Sequence, residues 1–132
     1  MSNIVVRVKG IVKRGDEYLI LKRWYDDRIP DPFMWEFIDG PVAFGEDPIN
    51  AQNRIIGECL GVPSTVVRPA YTWSNNIGDT QIIGIAYICQ VADEDEFVLA
   101  EDFGGYEWIK REQFDDYIEN MYVLQDIKDV EL

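Results

Sequence analysis

Apolar and polar residues alternate from the start of the chain. In "NIVVRVKGIVKRGDEYLILKRW", Ile4, Val6, Val8 and Val12 fall on one side of an extended strand and Arg7, Lys9 and Lys13 on the other. A period of two marks a half-buried strand. "RGDE" supplies a turn, and "YLILKRW" reads as the returning strand of a hairpin. "YDDRIPDPF" is polar and carries two prolines, which predicts a loop, and "MWEFI" is a short strand leading into "DGPVAFGED". "STVVRPAYTWS" and "TQIIGIAYICQV" read as two strands joined by the turn-rich "NNIGD". "ADEDEFVLAEDFGG" reads as an acidic loop and "YEWIK" as a short final strand.

Two segments carry helical spacing instead. The first begins at Asp47, a good N-cap, with Pro48 at the first helical position; Gly61 ends it and Pro63 prevents resumption. At about 100° per residue, with Ile55 at zero, Ile56, Ile49 and Leu60 fall at roughly 100°, 120° and 140°, an apolar stripe expected to face the sheet. Ile55, Cys59 and Glu58 share the adjacent face. The second, "REQFDDYIENMYVLQDIKDVEL", places Phe114, Tyr117, Ile118, Met121, Leu124 and Ile127 at spacings of three and four and predicts one helix. Strands with few interleaved helices imply a mixed sheet with a helix on each face. No linker, repeat or low-complexity segment divides the chain, so residues 1–132 are expected to form one domain.

Composition narrows the chemistry. The 132 residues carry a net charge of −13 and no histidine. That charge repels a nucleic-acid backbone, so no duplex binding is expected. Without histidine there is no Ser-His or Cys-His nucleophile, and an enzyme here must rely on carboxylates, a metal, lysine or tyrosine. Cys59 and Cys89 are two cysteines, with neither a CxxC pair nor a disulfide framework. No apolar run reaches about 18 residues, so no membrane helix is expected. The N-terminus "MSNIVVRVKG" lacks secretory-signal character, and a cytoplasmic location is the default expectation.

The segment Gly40–Val62 resembles the Nudix box of the Nudix (MutT-like) hydrolases. That pattern is a glycine, five residues, a glutamate, seven residues, then Arg-Glu-apolar-x-Glu-Glu-x-Gly-apolar; Gly40, Glu46, Arg54, Ile56, Glu58, Gly61 and Val62 match it in register. "LILKRW", "WEFIDG" and "YEWIKREQF" resemble the family's flanking segments in order. The resemblance implies an α+β fold, an α/β/α sandwich with a mixed sheet flanked by helices. It implies metal-dependent hydrolysis of a nucleoside diphosphate linked to a moiety X, with Mg²⁺ or Mn²⁺ as cofactor and a nucleotide or other diphosphate compound as partner. It further implies a catalytic set of Glu58, Arg54 and Glu46, in which Arg54 and Glu46 orient the loop–helix junction. Metal ligands would be Glu58, the Gly40 carbonyl and a loop carboxylate, Glu101 or Asp102, and Arg23 would contact substrate.

The box is degenerate. Ile55 and Cys59 stand where the family has glutamates, and Asp39 where it commonly has a glycine. The alternative to a weak hydrolase is therefore a catalytically inactive Nudix-fold domain that binds a nucleotide or a protein. A third reading, Cys59 as a reactive thiol, lacks an activating neighbour. A homodimer through an exposed first strand is a further expectation.

Overall fold

The computed structural model describes residues 3–24, 34–93 and 96–132; the loop expected over 25–33 and part of the acidic stretch lie outside the described residues. Strands β1 (Asn3–Arg14) and β2 (Glu17–Arg23) form the expected hairpin. Its turn places Gly15 at φ +61°, a left-handed value that favours glycine. The "WEFI" segment divides into β3 (Trp35–Glu36) and β4 (Ile38–Pro41). Helix α1 (Pro48–Leu60) follows, then β5 (Thr65–Ile77), β6 (Thr80–Gln90) and β7 (Phe103–Lys110).

These strands join in one mixed sheet of order β3-β2-β1-β6-β5, with β4 also on β1 and β7 also on β2. The β1–β6 pair is parallel and the other pairings are antiparallel. The first strand is therefore not an edge, as the dimer expectation required. β6 pairs along one side of it, and β4 and then β2 occupy the other.

Both faces of the sheet are covered. Val8, Val12, Leu19, Leu21 and Ile38 pack with Ile55, Ile56 and Leu60 of α1 on one face. Ile11, Ile20, Phe37 and Ile88 pack on the other with the C-terminal segment, through Phe114, Ile118 and Ile127. This double cover corrects the half-buried reading of β1. Lys9, expected among polar outward residues, is 6% exposed, whereas Ile4 at the strand's start is 66% exposed.

Two helical expectations change. In α1, Ile49 lies in the first turn and is 45% exposed, while Ala51, Gln52, Ile55, Ile56 and Leu60 are buried. Gln52 lies at the centre of that arc, over Gly10, where a Cβ would clash with its amide. The C-terminal segment is not one helix. It forms a 3-10 turn (Arg111–Gln113), α2 (Phe114–Tyr117) and α3 (Met121–Ile127). Ile118 turns extended at ψ 114°, and the Asn120 side-chain Oδ1 accepts from the N–H groups of Tyr122 and Val123, capping α3. The break lets Phe114, Ile118 and Ile127 all bury, where one straight helix would also turn the exposed Met121 along the same stripe.

Candidate functional site

The glycine loop meets α1 through one arginine. Asp47 caps the helix as expected, its Oδ1 accepting from Ile49 N at 2.8 Å and Asn50 N at 3.2 Å. Gly45 sits at φ +79° and Gly61 at φ +70°, so the loop before the helix and the turn after it both use left-handed glycines. Arg54 then reaches back along the helix. Its Nε donates to Glu46 Oε2 at 2.8 Å and its Nη2 to Glu46 Oε1 at 3.0 Å, a bidentate fork. Nη2 also donates to the Pro41 carbonyl at 3.0 Å, and Nη1 to Glu58 Oε1 at 3.1 Å. Glu46 Oε1 further accepts the Ala43 N–H at 3.0 Å. The Arg54 guanidinium and that N–H pull the Glu46 carboxyl down to about 2. Glu46, Arg54 and Glu58 are thus brought together, and the link spans loop and helix.

The expected cation ligands are more scattered. Glu58 is the exposed end of the chain of ion pairs, its side chain 63% exposed. Gly40 lies directly over Ile55, where a Cβ would stand 2.8 Å from Ile55 Cδ1. Ile55 is itself buried in the core. The position that resembles a family glutamate is therefore filled by an apolar plug beneath the glycine. Burial pushes the Cys59 thiol up to about 11, the nearby Arg23 only partly opposing it, so it stays protonated at neutral pH. The segment before β7 is tied to the end of α1 through Ala100 N to Cys59 O at 3.0 Å and Val98 N to Leu60 O at 2.9 Å. That places the charge of Asp102 near Cys59; Glu101 and Asp102 are both exposed in the turn that precedes β7. Among the described residues, no group of three or more His, Cys, Asp or Glu side chains is placed to hold a metal ion.

Arg23 is pinned at the end of β2. Its Nε donates to Glu36 Oε1 at 2.7 Å, and its guanidinium lies 4.9 Å from the Phe103 ring centroid. Burial raises the Glu36 carboxyl, with Arg23 opposing it. This pair lines a cleft of about 530 Å³ together with Arg7, Lys9, Trp35 and Asp39. Arg7 Nη2 donates to Asp39 Oδ1 at 3.1 Å. An adjoining cavity of about 210 Å³ shares Arg7, Lys9 and Asp39 and adds Trp73, Tyr122 and Asp126. Asp39 directly precedes Gly40, so the cleft borders the strand that carries the loop glycine. Sequence reasoning missed Arg7, Lys9 and Asp39 as lining residues. The available signal was the apolar side of the C-terminal segment, which needs a sheet face and would cover the odd-numbered side of β1.

No family model and no curated protein matches the sequence. Solved structures do match the fold. The MutT protein of Methanosarcina mazei Go1 superposes with a TM-score of 0.76 at 17% identity, covering 92% of this chain and 88% of that one. A MutT Nudix hydrolase from Burkholderia pseudomallei gives 0.73 at 18%, covering 96% and 99%. The fold is that of the Nudix hydrolases. A C. elegans Ap4A hydrolase in a binary complex gives 0.72 at 16%, covering 96% and 93%. On this Nudix frame, the Glu46–Arg54–Glu58 array occupies the loop–helix junction, and the aromatic-walled cleft opens on the sheet face that the C-terminal segment covers.

Proposed function

We propose that this chain is a Nudix-type domain for a nucleoside diphosphate linked to a second moiety, with ligand binding retained and hydrolysis reduced to a slow reaction at Glu58. The carrying observation is the intact fork of Arg54 on Glu46, with Glu58 at its solvent end. The structural neighbours named above as hydrolases, one of them of Ap4A, support the substrate class.

The donor set fits one magnesium or manganese ion shared with substrate oxygens. Glu58 Oε2 accepts no hydrogen bond among the described residues, and magnesium needs only one or two carboxylates beside phosphate oxygen. Glu58, with the Gly40 carbonyl and Glu101 or Asp102, would hold it. The ion would supply charge neutralisation and a more acidic water. The donor set does not fit a metal cluster, since Ile55 is apolar and Cys59 protonated. Arg54 and Glu46 act as positioning residues, holding the loop on the helix and Glu58 at its mouth. Arg23 is the expected substrate contact at the cleft wall.

Binding without turnover is the second reading, favoured by Ile55 plugged beneath Gly40. A panel of nucleoside diphosphate-X compounds, assayed with magnesium and with manganese, separates the two. Turnover that disappears in Glu58→Gln supports the slow hydrolase. Silence across the panel, with ligands still raising the melting temperature in a chelator, replaces it with the binding role.

A further inference from the structure

Lys9 is the cation of the cleft that the site described above leaves unused. It lies across from Asp39 in the β1–β4 register and is almost wholly buried. Its Nζ stands 4.5 Å from the centroid of the Trp73 ring. The other cations lining the cleft are committed, Arg7 to Asp39 and Arg23 to Glu36. Among the described residues Lys9 has no hydrogen-bond acceptor and no carboxylate within salt-bridge reach. Burial lowers its pKa; Asp39, Asp126 and Glu36 act on it from farther away in the opposite sense, and Arg7 adds to the lowering. The stem is buried, but the ammonium opens over the Trp73 ring to the junction of two cavities, with N–H groups that no described residue accepts, and is set to meet a ligand.

The surroundings select the kind of acceptor. Asp39, Glu36 and Asp126 make this region poor for a multiply charged phosphate, whereas a neutral carbonyl oxygen meets no such penalty. Trp35 and Tyr122 offer flat surfaces on the walls, and about 530 Å³ is the volume of an ordinary small-ligand pocket. Resting on the nucleotide reading above, we propose that Lys9 is a specificity residue: its Nζ donates to a ring carbonyl of the nucleobase and so selects keto over amino bases. An ammonium has donors and no acceptor. An amino group at the same place would oppose donor to donor and displace water from the ammonium without replacing its hydrogen bond, a stronger rejection than shape alone supplies.

Titration calorimetry on the full chain with magnesium tests this using two near-isosteric pairs, inosine against adenosine 5′-monophosphate and uridine against cytidine 5′-monophosphate. Monophosphates lack the diphosphate linkage, so turnover does not intrude. The keto member of each pair is expected to bind about tenfold or more tightly. Lys9→Met should bring the keto members down to the level of their amino partners, while Lys110→Met, at a surface lysine, keeps the preference. Equal affinity within each pair overturns the inference but leaves the diphosphate reading to its own panel. So does a preference that survives Lys9→Met, and so does the binding of none of the four. If Lys9→Met fails to fold, the wild-type pairs alone decide. A preference abolished by Lys9→Met, beside a silent hydrolysis panel, removes turnover and leaves the base selection standing.

Discussion

Gln52 carries a cost within a single side chain. It is wholly buried, and neither its amide oxygen nor its nitrogen has a partner. An unpaired buried amide costs about 1–3 kcal/mol, and an apolar group of similar shape removes that penalty. Gln52→Met is therefore expected to stabilise the chain by about 1–2 kcal/mol, read from urea unfolding with an unchanged slope. A loss of stability would mean that the amide is satisfied in solution. In the sequence Gln52 is one polar residue at the middle of a helix. Its burial became visible only once the arc of α1 facing Gly10 was known, because the apolar count alone had placed Ile49 there.

The junction of loop and helix is the element where charge and geometry combine. The Glu46 carboxyl lies at about 2, below its usual 4.5, because Arg54 and the Ala43 N–H stabilise its ionised form. A depressed folded pKa adds stability above the unfolded value and loses it as pH falls toward about 2. Carboxyl-carbon NMR should find the Glu46 midpoint near that value, and Arg54→Met should return it toward 4.5; an unchanged midpoint would place the loop's anchor elsewhere. At the other end of the chain, Asn120 starts α3 where helical spacing alone predicts continuous helix. Asn120→Ala is expected to cost about 0.5–2 kcal/mol by removing the cap, measured by thermal melts. A neutral result would mean that packing by Ile118 and Ile127 sets the break unaided.

Across the whole molecule, a net charge of −13 opposes any anionic ligand from a distance, while inside the cleft Arg7 and Arg23 are paired with Asp39 and Glu36 and Lys9 is the remaining cation. Long-range repulsion is screened over roughly 10 Å at 0.1 M salt, and contacts inside the cleft are screened less. Stopped-flow association of a nucleotide should therefore speed up as salt rises from low ionic strength, the reverse of a steered encounter. A rate that falls with salt would show that the cleft's local field dominates the approach.

The linear chain settled what depends on neighbours in sequence. Turn glycines, the Asp47–Pro48 start and Gly61 stop of α1, and the existence and order of most strands all act over a few residues. They were therefore legible, as was the Glu46–Arg54 link that the resemblance implied. Tertiary packing decided what depends on which surfaces meet. The second covered face of β1 buried Lys9, while Ile4 is exposed because neither cover reaches the strand's start. The interior position of β1 removed it as an edge. Ile55 became a plug because Gly40 of a distant strand lies over it. Periodicity records that a residue faces inward or outward along its own element, but not what is packed on each side. The cleft is built by that packing.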